Sequence, residues 1–201
     1  MKRFITFLCC LLIAVASFAQ NANQHLKFMG VPINGTIAQF QSKLVAKGCT
    51  YDKVASSTIE KGCRAFNGVL VGNKVEIYVY YNTQTNIVYR AKAVVSGISE
   101  EIADQSYSKI KKLLSQKYDY LSEGTKDDKE CCYFFSVKNP DENIDFNNIS
   151  NLSEVASGEI DLFITKDDEE WRRSPFNFNL HIDYTDAINK EKNDNSMLDE
   201  L

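Results

Sequence analysis

Hydrophobic and polar residues alternate most regularly between Lys74 and Val95. Within this stretch the runs 74–81 and 87–95 place β-branched, aromatic or small apolar residues at every second position, a period typical of strands. The intervening residues 82–86 are Asn, Thr and Gln, which favour turns. The pattern therefore predicts a β-hairpin with a short polar loop.

The loop length also predicts the register of this hairpin. The expected cross-strand pairs are Val79–Tyr89, Ile77–Ala91 and Val75–Ala93 on one face, and Tyr80–Val88, Tyr78–Arg90 and Glu76–Lys92 on the other. The first face is wholly apolar, whereas the second combines an ion pair with tyrosines. We therefore expect the side with Val75 and Ile77 to face the core, and the side with Tyr78 and Tyr80 to be exposed.

The rest of the first half predicts one helix and several strands. A strand is expected from His25 to Val31, before Pro32. Thr36 and Gln39 form a capping-box pattern, and a helix is expected from there to Gly48. Further runs predict strands at 50–54 and 58–66, and Gly72-Asn73 as a two-residue turn that puts Leu70 opposite Val75 and Phe66 opposite Val79.

The second half repeats this order. Ser99 and the acidic residues after it predict the start of a longer helix. Its apolar stripe is expected to contain Ile102, Ser106, Ile110, Leu113, Leu114 and Tyr118. A polar loop at 122–130 is followed by predicted strands at 131–137, 160–164 and 176–184, with a long loop at 138–158.

Helix followed by strands, twice, indicates an α+β fold with an antiparallel sheet rather than parallel βαβ units. Residues 24–97 and 98–188 are interpreted as pseudo-repeats that share one sheet, with both helices on one face. Residues 20–188 would then form one domain, and 189–201 an acidic, flexible tail.

The first 19 residues have the pattern of an export signal. A basic start is followed by an apolar run and by Ser17-Phe18-Ala19, a small-x-small cleavage pattern. We expect cleavage after Ala19 and a periplasmic or extracellular location. Elsewhere in the sequence no apolar run approaches the length of a membrane span.

The formal net charge is −4, and no basic cluster is present. These features argue against nucleic acid and anionic membranes as partners. No cofactor motif is found. Four cysteines follow the signal: Cys49 and Cys63 flank a predicted hairpin and are the more plausible disulfide pair, although three connectivities are open. Cys131 and Cys132 are adjacent, so on a strand they point to opposite faces and are expected as packed thiols.

A resemblance to a group of proteins follows from these patterns. The run 26–36, with Phe40, Leu44 and Gly48 after it, resembles the opening of small exported proteins common in Bacteroidetes. The segment Phe66-Asn67-Gly68 and the ending 198–201 are also similar to that family. The resemblance implies an exported α+β protein and carries over no catalytic residue. The architecture is similar in outline to the β-lactamase-inhibitor-like fold, which does not fix function.

Candidate catalytic residues are few. His181 lies in a predicted strand with Asn179 and Asp183 on its own side. A His–Asp pair can activate a nucleophile, but no nucleophile motif accompanies it. The acidic runs at 127–130 and 167–170 lack the spacing of a calcium loop. No metal site is expected.

The sequence therefore predicts a non-enzymatic, exported binding or interaction module whose partner is a protein or a cell-envelope component. An exposed sheet face with tyrosine and basic residues suits protein contacts, and Trp171-Arg172 is an aromatic-basic cluster of the kind enriched in hot spots. The predicted binding residues are Tyr78, Tyr80, Arg90, Lys92, Trp171 and Arg172. Two alternatives stay open: a hydrolase using His181 with a carboxylate, and a structural envelope subunit.

Overall fold

The computed structural model describes residues 25–126, 129–137, 156–167 and 175–198. It contains ten strands and four helices within these ranges. The strands are β1 Lys27–Phe28, β2 Val31–Pro32, β3 Thr50–Asp52, β4 Cys63–Leu70, β5 Asn73–Tyr81, β6 Val88–Ile98, β7 Asp119–Lys126, β8 Lys129–Val137, β9 Ala156–Lys166 and β10 Phe178–Asp186. The helices are α1 Ile37–Ala46, α2 Lys53–Thr58, α3 Glu100–Leu114 and α4 Ala187–Leu198.

Eight strands form one antiparallel sheet in the order β3-β4-β5-β6-β10-β9-β8-β7, and β1 and β2 form a separate small hairpin. Each half contributes a meander of four neighbouring strands, and the meanders join through their last strands, β6 and β10. The predicted α+β fold with two pseudo-repeats sharing one sheet is confirmed. The junction of the halves lies at the centre of the sheet.

A single hydrophobic core lies between the sheet and helices α1 and α3. The helices contribute Ile37, Phe40, Leu44, Ala103, Tyr107, Ile110 and Leu114, and the sheet contributes residues such as Ile77, Ala93, Leu162 and Ile182. Full burial of each large apolar side chain stabilises the fold by roughly 1.5–3 kcal/mol. Both helices therefore cover the same face of the sheet, as predicted. Among the described residues, no helix is both long and apolar enough to cross a bilayer.

Helix α1 begins and ends as the sequence predicts. The Thr36 hydroxyl accepts a hydrogen bond from the Gln39 backbone N–H, and the Gln39 side chain accepts from the Thr36 N–H. Gly48 follows the helix with φ +90°, a conformation that glycine adopts without steric cost.

Helix α3 begins at the predicted cap, Ser99, but its buried stripe is rotated from the expected one. Ile102 and Leu113 are exposed to 45% and 43%, and Ala103 and Tyr107 are buried instead. This rotated stripe faces the sheet and places the Tyr107 hydroxyl 2.8 Å from the Cys132 Sγ on β8.

The predicted β5–β6 hairpin is confirmed, but its register is wrong by two residues. The observed pairs include Ile77–Ala93, Tyr78–Lys92 and Tyr80–Arg90, with an irregularity next to Tyr81. The predicted core face and tyrosine face are still correct, because a shift by an even number of residues preserves the alternation of side chains. The irregularity does reverse Val88, which is fully buried rather than on the tyrosine face.

The β4–β5 turn also shifts the expected register by two residues. Val71 and Gly72 form the turn, with φ of 53° and 87°, and Leu70 pairs with Asn73. Two consecutive positive φ angles are typical of a type I′ hairpin. Phe66 therefore lies opposite Ile77 rather than Val79.

Three local predictions are wrong. The region 53–58 forms helix α2, capped by the Asp52 side chain, where the sequence predicted one strand ending at residue 54 and the next beginning at residue 58. Residues 122–126 and 129–130 belong to strands β7 and β8 rather than to a loop. The expected N-terminal strand is interrupted at Met29 and Gly30, which turn with φ of 51° and 77° between β1 and β2.

The C-terminal segment contains a helix that the sequence did not predict. Where the sequence indicates a flexible tail from 189, the structure has helix α4. The buried Asp186 carboxylate accepts hydrogen bonds from the backbone N–H groups of Asn189 (3.0 Å) and Leu26 (2.9 Å), and the His25 Nδ1 lies 3.0 Å away. The Asn189 amide donates to the carbonyl oxygens of Ile33 and Val88. Both ends of the described chain are thus tied to the sheet.

Gly158 on β9 lies beneath the N-terminal segment. A Cβ atom at this position would be 2.4 Å from the Thr185 carbonyl oxygen and 3.0 Å from a Leu26 methyl carbon. The close approach of Leu26 therefore requires a residue without a side chain.

Cys49, Cys63, Cys131 and Cys132 are all free and buried. The expected Cys49–Cys63 pair is not formed: Cys49 belongs to the core, whereas Cys63 lies opposite Tyr80 on the other face. Adjacent Cys131 and Cys132 are packed thiols as predicted, and only Cys132 joins the core. The proposed cleavage site after Ala19, the interior of the 138–158 loop, and Trp171 and Arg172 lie outside the described residues.

Candidate binding face of the sheet

The face of the sheet opposite α1 and α3, here called the second face, carries four of the predicted binding residues. Directly paired residues in neighbouring strands share a face. One row across five strands runs Tyr78, Lys92, Asp183, Asp161 and Tyr133. Both halves of the chain therefore contribute to one row of aromatic and charged side chains.

A second row lies beside the first and is more apolar. It runs Glu76, Val94, His181, Phe163 and Cys131 across the same five strands. Glu76 is exposed, His181 is half-buried, and the other three are buried. The second face is thus a mixed surface with apolar side chains between its polar groups.

Tyr78 and Tyr80 are half-buried, so the expectation of an exposed tyrosine face is met only in part. The Tyr78 hydroxyl donates to a Glu76 carboxylate oxygen at 2.8 Å. Burial raises the pKa of both tyrosines to about 12, and Glu76 adds to the effect at Tyr78. Both hydroxyls are therefore neutral at physiological pH.

Arg90 links the tyrosine face to the second half of the chain. Its guanidinium lies 4.8 Å from the centre of the Tyr80 ring, within the range of a cation–π contact. The same group donates two hydrogen bonds to the buried Asp183 carboxylate, one of them from Nε at 2.8 Å. This bonding raises the pKa of Arg90 above its ordinary value. A bidentate pair of this kind fixes geometry as well as charge.

Sequence reasoning placed Asp183 beside His181 but missed its bond to Arg90. Alternation puts both residues on one face, as predicted. In the structure, however, both Asp183 oxygens accept from Arg90, and the His181 Nε2 lies 2.7 Å from the Thr165 hydroxyl. The missed contact joins residues 93 positions apart, and no local pattern specifies such a neighbour.

His181 and Lys92 both contact Phe163, a residue that the sequence did not single out. The His181 ring stacks on Phe163, with centroids 4.7 Å apart and planes at 11°. The Lys92 Nζ lies 5.6 Å from the centre of the same ring. Phe163 therefore orients one basic group and one imidazole from neighbouring strands.

A shallow, open pocket of about 600 Å³ lies on the second face, next to the residues after α2. Its lining consists of Ile59, Glu60, Cys63, Glu76, Tyr78, Tyr80, Lys92, Val94, Ser96, Asp167, Asn179 and His181. Asn179 is held in place because its side chain accepts from the Gly97 N–H and donates to Asp167, both at 3.0 Å. Three predicted binding residues, Tyr78, Tyr80 and Lys92, thus line one pocket.

Within the described residues, no group of three or more His, Cys, Asp or Glu side chains is placed to hold a metal ion. The Cys63 thiol in the pocket has its pKa raised to about 11, chiefly by burial, so it is protonated at neutral pH and a poor nucleophile.

Comparison of the chain with protein-family models, with curated proteins and with solved structures gives no match. The resemblance to small exported Bacteroidetes proteins therefore stays a prediction.

Proposed function

We propose that the chain is an exported, non-enzymatic binding module whose second face contacts a protein or a cell-envelope component. The observation that carries this proposal is the pocket on the second face, where Tyr78, Tyr80 and Lys92 meet His181 and Asn179 from the other half of the chain. Tyrosine is enriched in energetically dominant contacts because it supplies rigid apolar area together with a hydroxyl.

The packing around these tyrosines supports a preorganised contact surface. Tyr80 is held against Arg90, and Arg90 is held by Asp183; Tyr78 is held by Glu76. Side chains that are already fixed lose less conformational entropy on binding. The export part of the proposal rests on the signal-like residues 1–19.

The hydrolase alternative has less support. A His–Asp dyad needs the carboxylate to orient the imidazole, whereas the Asp183 oxygens accept from Arg90 and the His181 Nε2 lies beside Thr165. Within the part of the chain that the structure describes, no specific contact favours the structural-subunit alternative.

Co-purification from the cell-envelope fraction tests the proposal. Wild-type protein is compared with Tyr78→Ala/Tyr80→Ala, and Ile102→Ala/Leu113→Ala serves as the control because these residues are exposed on α3, which covers the other face. The tyrosine variant should recover less than about one-tenth of the partner, the loss typical of hot-spot truncation. The control should recover it fully.

Two results would count against the proposal. Equal recovery of the partner by the tyrosine variant and by wild type would exclude the second face as the contact surface. Loss of the partner only in the α3 variant would instead indicate that the partner contacts the helices. Circular dichroism melting of each variant separates loss of binding from loss of folding.

A further inference from the structure

The lining of the pocket contains more acidic than basic side chains. Three exposed carboxylates line it, from Glu60, Glu76 and Asp167, against one ammonium group, from Lys92. The Lys92 Nζ lies over the Phe163 ring, which is not part of the lining. The pocket therefore presents more negative than positive charge to a ligand.

Aromatic and apolar groups form the other part of the lining. Tyr78 and Tyr80 supply rings, and Ile59 and Val94 supply aliphatic surface. The face of an aromatic ring attracts a cation, and a carboxylate near the same ring strengthens that preference. The long methylene stem of a lysine or arginine is itself suited to apolar walls, with its charge reaching the carboxylates.

The fold already contains one contact of this type. The Arg90 guanidinium lies over Tyr80 and donates to a carboxylate of the neighbouring strand. Arg64 likewise lies 5.8 Å from the Tyr81 ring centre, at the end of the same strand β5. Guanidinium groups therefore lie over tyrosine rings of β5 at more than one position.

We propose that the pocket receives a lysine or arginine side chain of the partner protein, held by Glu60 and Glu76 and stacked on Tyr78. This inference rests on the proposed function, because it names the chemistry of the segment that the second face binds. An acidic segment would be repelled by the three carboxylates. A purely apolar segment would remove them from water without a compensating partner.

Nuclear magnetic resonance titration with defined peptides tests the inference. The probes are acetylated and amidated tripeptides with Lys, Arg, norleucine or Glu between two glycines, and the readout is the shift of the Tyr78, Tyr80 and His181 resonances. Lysine and arginine peptides should shift these signals, whereas norleucine and glutamate peptides should not. Raising the salt concentration should weaken the binding.

The carboxylates are tested with isosteric variants. Glu60→Gln and Glu76→Gln should each weaken binding of the lysine and arginine peptides about two- to fivefold, as expected for solvent-accessible ion pairs. A glutamine at 76 can still accept from the Tyr78 hydroxyl. The matched control is Glu159→Gln, since Glu159 is exposed on the same sheet face but outside the pocket; its affinity should equal that of wild type.

Three outcomes would overturn the inference: norleucine binding as tightly as lysine, glutamine variants equal to wild type, or no shift at the pocket with any basic peptide. None of these affects the envelope experiment, in which Tyr78→Ala/Tyr80→Ala decides the proposed function. Suppose that the tyrosine variant loses the envelope partner while Glu60→Gln/Glu76→Gln retains it fully. This result would support the second face as the binding surface and would contradict the proposal of a basic ligand.

Discussion

Asp186 is expected to hold both ends of the described part of the chain in place. It is fully buried and accepts from the N–H groups of Leu26 and Asn189, while His25 contacts it from the side. The perturbation is Asp186→Ala, which removes every one of these acceptors and leaves the donors in place.

The magnitude follows from two of the lost bonds. Loss of an N-terminal helix cap costs about 1 kcal/mol. Leaving the buried Leu26 N–H without an acceptor costs about 1–3 kcal/mol. We therefore expect a loss of about 2–4 kcal/mol in the free energy of unfolding, equivalent to a melting temperature about 5–15 °C lower for a chain of this size.

Urea unfolding followed by circular dichroism measures this loss. Asp194→Ala is the matched control because Asp194 lies on the same helix, is 51% exposed and pairs with Lys190 at i,i+4; its cost should be below about 0.5 kcal/mol. Asp186→Asn retains one acceptor oxygen and should fall between the two. Equal stability of the Asp186→Ala and Asp194→Ala proteins would refute the role assigned to Asp186.

Three further predictions concern packing, ionisation and thiols. Gly158→Ala should destabilise the fold by about 1–3 kcal/mol, because the added methyl group overlaps backbone; Gly124→Ala, whose nearest neighbour would be a thiol sulfur at 3.4 Å, should change the unfolding free energy little. Ultraviolet titration should lose a component near pH 12 in Tyr78→Phe and in Tyr80→Phe. Since both pKa values are raised above the unfolded value of about 10, the stability that these tyrosines contribute is complete below pH 10 and is lost as the pH rises towards 12; loss of a component near pH 10 instead, in either variant, would contradict this. In protein made without residues 1–19, which contain Cys9 and Cys10, a thiol reagent at pH 8 should react slowly with the four buried cysteines and label all four after unfolding without reductant, whereas only two labelled thiols would indicate a disulfide.

The alternation of apolar residues was enough to predict the strands that carry the candidate site and the face on which it lies. Both hairpin registers were wrong by an even number of residues, so Tyr78 and Tyr80 stayed on the predicted side. The reversal of Val88 could not be predicted, because the irregularity beside Tyr81 has no glycine or proline to indicate it.

Short or polar elements were missed because long-range contacts hold them. Helix α4 is rich in Asn and Lys, a composition typical of a flexible end. It is fixed by the Asp186 cap and by the bonds of Asn189 to two distant carbonyl groups. Helix α2 has only six residues, too few to show a helical period.

The position of the pocket follows from the way the two halves join. Each half ends its meander with the strand that pairs across the junction, so β6 and β10 are central and neither can become an edge. Tyr78 and Lys92 come from one half, and His181 and Asn179 from the other. The Arg90–Asp183 pair bridges the same junction. The pocket therefore exists only when both halves pair.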